Sequence, residues 1–382
     1  MGGLGTAVYA EGKGFISPIE DILEDFRNGR MIILVDAEDR ENEGDLIVPA
    51  QMATPDAINF MAKHGRGLIC LSLPQERANE LRLEAMARNN EARNRTAFTV
   101  SIEAREGIST GISAADRART ISTAIDPTKD HRAIASPGHV FPLVAREGGT
   151  LVRAGHTEAS VDLARLAGLY PAGVICEIMN DDGTMARMPD LVAFAQRHGL
   201  KIGTIEDLIA YRLKNDRIVK CTTRTTVESA FAGSLELHVY ETAVEPAEHL
   251  ALVKGDLKAP GPVLVRVHAI NMPADVLGIG ATSGSGNLIE KALAAIQAEG
   301  RGVLVLLRDL RPKSVSSWIK AAATSGGRAK TQERTLVELG IGSQILRDLG
   351  VSEMTLLTNS PDTHYVGVEG HGLRIVGTRK LG

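Results

Sequence analysis

Apolar side chains recur at helical spacing in the first segment of the chain that has a clear pattern. The segment opens at Ser17, with a Pro at the next position and a Glu three residues after the Ser, which is typical of a helix start. Apolar residues then follow at i, i+3, i+4 and i+7, and Gly29 lies where a left-handed turn would end the helix. We therefore expect a helix capped by Ser17, followed by a short buried strand over 31–35.

The rest of the first half alternates between helical and strand patterns. Helical spacing marks residues 56–64, 75–81, 113–125, 159–167, 190–197 and 205–213. Strand patterns mark residues 67–73, 97–102, 140–144, 174–179 and 201–203. This alternation predicts an N-terminal α/β domain with a mixed sheet and helices.

A new pattern begins after a polar stretch at 214–217. Strands are predicted at 235–240, 263–267, 302–307 and 354–358, with helices at 287–299 and 336–349. We expect a boundary between residues 216 and 222, giving domains 1–216 and 222–382 and an α+β fold overall; the length of 382 residues also favours two domains. The segment 322–330, rich in Gly, Ser and Ala, is expected to be a mobile surface stretch.

Composition narrows the possible partners. The chain has 43 Lys+Arg against 47 Asp+Glu and only 3% aromatic residues, which disfavours nucleic-acid binding. The longest apolar runs, 31–35 and 303–307, are far shorter than the ~20 residues of a membrane span. The N-terminus lacks a secretory pattern, and Cys70, Cys176 and Cys221 are scattered. We expect a cytoplasmic homodimer that acts on a small molecule, without nucleic-acid or membrane partners.

An acidic run follows the first strand. Residues 36–45 contain six carboxylates and one Arg, a crowding that costs stability unless cations bind. A solvated loop is one interpretation, and a cation site beside the sheet is the other. A helix-loop-helix calcium site is excluded because position 50, which would need a Glu, is Ala50. Oxygen ligands in an open loop favour Mg²⁺ or Mn²⁺ bound together with a substrate.

A second candidate site is the RAGHT stretch at 153–157. Thr157 is expected to cap a helix, and Gly155 would let backbone amides approach a phosphate that Arg153 holds. An ordinary capped helix explains the same spacing equally well. His156 is open to three interpretations: a metal ligand, a base or a surface residue.

Three further segments contain residues that can carry chemistry. Glu177 interrupts an apolar strand, so it must pair, bind a metal, keep a proton or face water from an edge strand. His139 stands on a Gly/Pro turn and is either a site residue or a structural one. Ser113 and Asp116 form either an anion site or a simple helix cap.

Clustered carboxylates, a His beside a phosphate-type helix start, and a second His and a Glu suit metal-dependent acid–base chemistry on a phosphorylated polyol or sugar. The sequence has no Walker loop, Ser–His–Asp elbow motif or dinucleotide fingerprint, and Gly278 and Gly280 alone do not make the last of these.

Five motifs resemble the 3,4-dihydroxy-2-butanone 4-phosphate synthase family over about residues 15 to 213. They are DAEDRENEGDLI (36–47), TGISAADRARTI (110–121), PGHVFPL (137–143), RAGHTEASVDLARLAG (153–168) and CEIMNDDGTMAR (176–187). The resemblance implies Mg²⁺-dependent conversion of D-ribulose 5-phosphate into L-3,4-dihydroxy-2-butanone 4-phosphate and formate, a lyase step of riboflavin biosynthesis.

The resemblance also assigns residues. Glu41 would bind two Mg²⁺ or Mn²⁺ ions, with His156 as the second ligand, and His139 and Glu177 would be the catalytic residues. Substrate contacts fall to Arg40, Glu41, Asp45, Arg153, Ala154, Gly155, His156, Thr157 and Glu177.

The second half resembles GTP cyclohydrolase II in EHLALVKGDL (248–257), VLVRVHA (263–269), AEGRGVLVLLRD (298–309), LGIGSQILRDLGV (339–351) and LLTNSP (356–361). That family binds zinc with three cysteines, and the matching positions here are Asn271, Thr282 and Gly284. In that family an Arg- and Gly-rich segment normally follows the strand that reads LLR here, and the matching residues 309–318 of this chain are altered. We therefore expect no zinc and a structural or regulatory domain; a bifunctional enzyme and a non-catalytic phosphosugar-binding module are the alternatives.

Overall fold

The computed structural model of the chain describes residues 13–38, 40–92, 94, 96–242, 247–279, 288–308, 315–316, 319, 332–359 and 372–381. The predicted mobile stretch 322–330, most of the altered segment 309–318, Gly280, Thr282 and Gly284 lie outside these residues. The chain divides into two compact units, Met1–Ile209 and Ala210–Gly382, and the point of division falls inside a helix over Ile205–Asn215.

The first unit alternates strands and helices. Its strands are β1 (Ile32–Val35), β2 (Gly44–Pro49), β3 (Cys70–Leu73), β4 (Ile102–Ala104), β5 (Ile134–Val144), β6 (Gly173–Glu177) and β7 (Ile202–Thr204). Its α-helices are α1 (Ile19–Arg27), α2 (Pro55–Phe60), α3 (Gln75–Glu80), α4 (Ala114–Ile125), α5 (His156–Leu166) and α6 (Met188–His198), and α7 (Ile205–Asn215) follows. Short helical turns lie at Lys13–Phe15, Ala50–Met52, Met61–Gly65, His131–Ala133 and Gly149–Leu151.

The seven strands form one sheet in the order β4-β5-β3-β6-β2-β1-β7. The sheet is mixed, since β1 is antiparallel to β2 and parallel to β7. Helices bury both of its faces: Ile33 packs in one cluster with Ile121 of α4 and Leu191 of α6, while Ile32, which points to the opposite face, is also fully buried. The continuous apolar run of β1 follows from this two-sided burial.

Two local predictions are wrong. Helix α1 begins at Ile19 with Pro18 at the cap position and without a side-chain cap, and the Ser17 N–H donates to the Ile202 carbonyl of β7. The strand predicted over 97–102 is reduced to β4, preceded by isolated bridges. The Thr99 N–H donates to the Pro142 carbonyl, and a proline has no N–H to return the bond, so a continuous ladder does not form.

Arg77 closes the C-terminal end of α4. Its buried guanidinium donates to the carbonyl oxygens of Ala124, Asp126 and Lys129 at 2.7, 2.8 and 2.9 Å. These carbonyls lie at and beyond the last turn of the helix, where intrahelical partners run out. A single buried cation therefore satisfies the helix end.

The second unit is a second mixed sheet with helices. Its strands are β8 (Val219–Ser229), β9 (Gly233–Thr242), β10 (Glu248–Lys254), β11 (Val263–Ala269), β12 (Gly302–Leu307), β13 (Glu353–Leu357) and β14 (Arg374–Arg379), in the order β14-β13-β11-β12-β10-β9-β8. Its helices beyond α7 are α8 (Met272–Asp275), α9 (Leu288–Glu299) and α10 (Gln332–Asp348). The predicted mixed α+β class is confirmed. Within the described part of the chain, every helix is too short or too polar to cross a membrane.

Candidate active site

The acidic run connects β1 to β2, two neighbouring antiparallel strands in the sheet. Asp36 organises this connection although its side chain is fully buried. Its carboxylate accepts the N–H groups of Glu41 at 3.1 Å and Glu43 at 2.8 Å, and it pairs with the Arg40 guanidinium at 2.8 Å. The described residues of the run, 36–38 and 40–45, therefore form a folded turn around one buried carboxylate, and not a solvated loop.

The RAGHT stretch meets this turn at the start of α5. The prediction that Thr157 caps the helix is wrong: Gly155 is the cap residue and α5 begins at His156, so Thr157 lies in the first turn. A Cβ on Gly155 would come within 2.5 Å of Arg153 Nη1 and 3.0 Å of Arg40 Nη2. A side chain at position 155 would therefore shift one or both guanidinium groups from their positions beside this helix start.

His156 is held in one orientation by its backbone partner. Its Nε2 lies 3.1 Å from the Leu34 carbonyl oxygen, which can only accept, so Nε2 carries the proton and Nδ1 keeps its lone pair. Burial lowers the pKa of His156, although Asp36 acts to raise it. A neutral imidazole whose second nitrogen is hydrogen-bonded to a carbonyl is the usual form of a metal-binding histidine.

Among the described residues, Asp36, Glu41 and His156 form a cluster that could hold a metal ion. Their ligand atoms all lie within 4.8 Å of one another. The structure thus brings together Glu41 and His156, the two residues that the resemblance implies as metal ligands, and places the Asp36 carboxylate next to them. Nearby, Oδ1 of Asp45 is buried without a hydrogen-bond partner among the described residues and lies 3.7 Å from His156 Nδ1. A set dominated by carboxylates fits Mg²⁺ or Mn²⁺.

Glu177 lies opposite Asp45 in the sheet. The two are Cα partners across β2 and β6, and β6 lies between β3 and β2, so the edge-strand interpretation of Glu177 is wrong. Its Oε2 accepts the Leu68 N–H at 2.8 Å. Burial, and then the Glu177 charge, raise the pKa of Asp45 well above its usual range. The pair places two carboxyl groups next to Asp36, Glu41 and His156.

His139 lies on a loop that leaves the β4–β5 ladder. Ile102 pairs with Val140 and Glu103 pairs with Ala135, so residues 136–139 protrude between two successive positions of β4. The side-chain exposure of His139 is 43%, and its Nδ1 contacts Oε1 of Glu103. The protruding loop presents an imidazole to solvent at the sheet edge.

The sheet register places His139 and Glu177 on either side of β3. Phe141, two residues after His139, pairs with Cys70 of β3, and Cys70 pairs with Ile175, two residues before Glu177. Phe141 and Ile175 are therefore two strand spacings, about 10 Å, apart. His139 itself lies on the protruding loop next to these paired positions.

Arg153 is engaged within the protein. Its Nη1 lies 2.6 Å from Oε2 of Glu158, and its Nη2 donates to the Asn94 carbonyl and to Thr96 Oγ1 at 3.2 Å. Burial raises the pKa of Glu158, and Arg153 opposes this shift. Arg40 and Arg153 together place two guanidinium groups beside the first turn of α5, an arrangement that suits a phosphate.

The TGIS segment is explained without a ligand. Ser113 Oγ accepts the Asp116 N–H at 3.1 Å and caps α4. The Asp116 carboxylate accepts the N–H groups of Ser109 and Gly111 at 3.1 and 3.0 Å. These bonds favour the capping interpretation of the two left open by the sequence.

Sequence reasoning missed two residues that touch this site. Asp36 carried a signal, because it is the first carboxylate after a buried strand. Glu103 carried none, since it reaches His139 across 36 residues of sequence through the protruding loop.

Comparison with known proteins gives two family matches. Residues 20–211 match the sequence profile of 3,4-dihydroxy-2-butanone 4-phosphate synthase, and residues 220–380 match that of GTP cyclohydrolase II. The chain is 50% identical over 370 residues to the riboflavin biosynthesis protein RibBA of Aquifex aeolicus, covering 94% of this chain and 90% of the relative. It is 46% identical over 360 residues to the 3,4-dihydroxy-2-butanone 4-phosphate synthase of Pseudomonas syringae, covering 94% and 97%.

Solved structures are similar over the same ranges. RibBX of A. baumannii, described as a two-domain 3,4-dihydroxy-2-butanone 4-phosphate synthase, superposes with a TM-score of 0.81 at 42% identity, covering 95% of this chain and 99% of that one. A 3,4-dihydroxy-2-butanone 4-phosphate synthase in complex with two magnesium ions has a TM-score of 0.51 at 42% identity, covering 53% of this chain and 99% of that one.

Proposed function

Because the chain belongs to the 3,4-dihydroxy-2-butanone 4-phosphate synthase family of riboflavin biosynthesis, we propose that its first unit carries out the Mg²⁺-dependent reaction with the site built around His156. The substrate is D-ribulose 5-phosphate, and the products are L-3,4-dihydroxy-2-butanone 4-phosphate and formate. The observation that carries the proposal is the convergence of Asp36, Glu41 and His156, three side chains from two distant segments, within 4.8 Å.

Glu41 and His156 would hold the metal, with Asp36 both a neighbouring donor and the organiser of the turn. A bound Mg²⁺ would polarise a carbonyl and an adjacent hydroxyl oxygen and so lower the barrier to enolisation. Mn²⁺ would fit the same donors, and the relative solved with two magnesium ions supports two ions per site.

The two arginines beside α5 would bind the substrate phosphate. A guanidinium binds phosphate oxygens through paired N–H donors, and the first turn of a helix offers backbone N–H groups at its positive end. Arg40 is already aligned by Asp36 at 2.8 Å, and Arg153 by Glu158 at 2.6 Å. Both side chains are thus fixed before substrate arrives, which limits the entropy lost on binding.

Glu177 and His139 would move protons on the sugar carbons. Glu177 ends β6 and His139 lies on the loop within β5, with β3 between these strands, and one would remove a proton while the other returns one to a different atom of the same small substrate. The Leu68 N–H donates to Oε2 of Glu177 at 2.8 Å and fixes the side chain, so Oε1 would be the oxygen that exchanges a proton with the substrate.

We propose a structural or regulatory role for the second unit. The Asn271 side chain accepts the Ala274 N–H at 3.3 Å and so caps α8. The backbone N–H of Asn271 donates to the Asp275 carboxylate at 2.7 Å. Asp275 in turn pairs with His268 at 2.8 Å. Thiolates are absent from the three positions 271, 282 and 284, so the zinc of a cyclohydrolase does not fit this chain.

The synthase proposal is tested by formate release from D-ribulose 5-phosphate with Mg²⁺. We expect activity that EDTA abolishes and that excess Mg²⁺ restores. Glu41→Gln keeps the shape of the ligand but removes its charge, and should lower turnover at least ~10²-fold. Glu38→Gln, an exposed carboxylate on the same turn, is the matched control. Full activity in excess chelator, or an equal effect of both variants, would reject the metal assignment.

The role of the second unit is tested by elemental analysis and by incubation with GTP. We expect no stoichiometric zinc and no formate or pyrophosphate from GTP. One tightly held zinc per chain together with both products would establish the bifunctional alternative, which the match of residues 220–380 to GTP cyclohydrolase II favours.

A further inference from the structure

We propose that Glu103 is the positioning residue of His139: its carboxylate holds the imidazole so that Nε2 faces the substrate as the proton acceptor. This inference rests on the proposed function, in which His139 moves a proton. Glu103 itself does not touch the substrate and acts only through the histidine.

The contact between the two side chains carries the first part of the argument. Oε1 of Glu103 meets Nδ1 of His139, and the side-chain exposures differ, at 18% for the carboxylate and 43% for the imidazole. The carboxylate is thus the more shielded of the two groups, and the imidazole that it contacts through Nδ1 remains partly exposed. A carboxylate is an acceptor only, so Nδ1 must carry the proton in the neutral ring.

The surroundings of Glu103 show that space is reserved for its carboxylate. A Cβ on Gly111 would lie 2.2 Å from its Oε1, and a Cβ on Gly138 would lie 2.2 Å from its Cγ. Two glycines from separate loops therefore pack against the same side chain. A side chain at Gly111 would displace the carboxylate, and one at Gly138 would in addition meet the Ile102 carbonyl group at 2.2 Å.

The protruding loop needs an external anchor because residues 136–139 have no partners in β4. Ser101 supplies part of it: its carbonyl accepts the Ser136 hydroxyl at 2.6 Å, and its Oγ accepts the Gly138 N–H at 3.1 Å. These bonds hold the backbone of the loop. Glu103 then sets the orientation of the His139 imidazole at the end of the loop.

This arrangement determines which nitrogen can react. With Nδ1–H donated to Glu103, the lone pair is on Nε2, which points away from the carboxylate. When Nε2 takes a proton from the substrate, the carboxylate stabilises the imidazolium that forms. The same division of labour between a carboxylate and a histidine operates in hydrolase triads, where replacing the carboxylate costs up to ~10⁴-fold in turnover.

The tautomer of His139 gives a test that does not depend on turnover. In ¹⁵N-labelled full-length protein, with His139 assigned by comparison with His139→Ala, we expect the Nδ1–H form in the wild type and in Glu103→Gln, whose amide oxygen still accepts. Glu103→Ala should show a mixture of the two forms. Glu106→Ala, an exposed carboxylate on the loop that follows β4, is the control and should match the wild type.

A double-mutant cycle tests whether Glu103 acts through His139. Glu103→Ala should lower kcat at least ~10-fold with little change in KM, and Glu103→Gln should recover part of the loss. In a His139→Ala background, Glu103→Ala should cost nothing further. If Glu103→Ala lowers the thermal midpoint, Glu103→Gln, which fills the same space, is compared with the wild type instead. Its kcat should lie between those of the wild type and Glu103→Ala.

An unchanged tautomer in Glu103→Ala, or an equal loss of kcat in both backgrounds, would overturn the inference. Normal formate release by His139→Ala is a different result: it would remove His139 from the proposed function while the tautomer measurement still decided whether Glu103 orients the ring.

Discussion

Replacing Arg153 by Ala should produce two separable defects. The guanidinium faces Glu158, whose side chain is only 1% exposed, at 2.6 Å. Removing the cation leaves a buried carboxylate without its charge partner, which costs about 3–5 kcal/mol of folding free energy. Against a total stability of about 5–15 kcal/mol, this loss is large. The same change removes a proposed phosphate contact, and losing a charged hydrogen bond of about 1.5–3 kcal/mol should raise KM about 10- to 100-fold.

A second substitution separates the two defects. Glu158→Gln in the Arg153→Ala background removes the unpaired charge while its amide oxygen can still accept the Arg146 N–H, which Glu158 Oε1 accepts at 3.1 Å. Equilibrium urea unfolding should show most of the lost stability restored in the double variant. KM for D-ribulose 5-phosphate should stay high in both.

Two outcomes would refute this reasoning. A double variant as unstable as Arg153→Ala would show that the buried charge is not the cause of the loss. A KM that returns to the wild-type value with Glu158→Gln would show that Arg153 does not contact the phosphate. Measuring kcat together with KM distinguishes two roles of Arg153: a loss of binding raises KM, and a loss of chemistry lowers kcat.

Two further changes probe stability. Burial, helped by Arg308, lowers the pKa of His249 to about 4; since the unfolded chain binds a proton there near pH 6.5, stability should fall by about 3 kcal/mol as pH drops from 6.5 to 4. Urea unfolding of His249→Gln should show a flatter pH dependence, and an equal slope would contradict the assignment. Arg77→Met should cost about 3 kcal/mol through its three carbonyl bonds, whereas Arg132→Met, whose side chain is 82% exposed, should cost little in the same measurement.

Local patterns in the sequence predicted most of the first unit because its helices bury one face and its central strands bury both. The helix over 113–125 is confirmed as α4 with its Ser113 cap, since both the spacing and the cap are local properties. The strand over 97–102 failed because its neighbour at the decisive position is Pro142, and a partner distant in sequence cannot be read from the strand itself.

Local patterns likewise predicted some parts of the candidate site and not others. The acidic turn and the start of α5 were predicted from residue types that stand next to one another in the chain. The cap of α5 was not, because the helix begins at His156, one residue before Thr157, and the contacts of Gly155 with Arg40 come from another segment. The pairing of His139 with Glu103 likewise depends on a four-residue protrusion in the β4–β5 ladder, which no local spacing encodes.

The position of the site along the chain bears on its synthesis. The residues assigned to the site, from Asp36 to Glu177, all belong to the first unit, Met1–Ile209. A ribosome adds about 5–20 residues each second and domains generally fold as units, so the remaining chain takes on the order of ten to thirty seconds to emerge. During that interval the nascent chain already holds every residue of the site, and cations can reach the acidic turn before the second sheet has been translated.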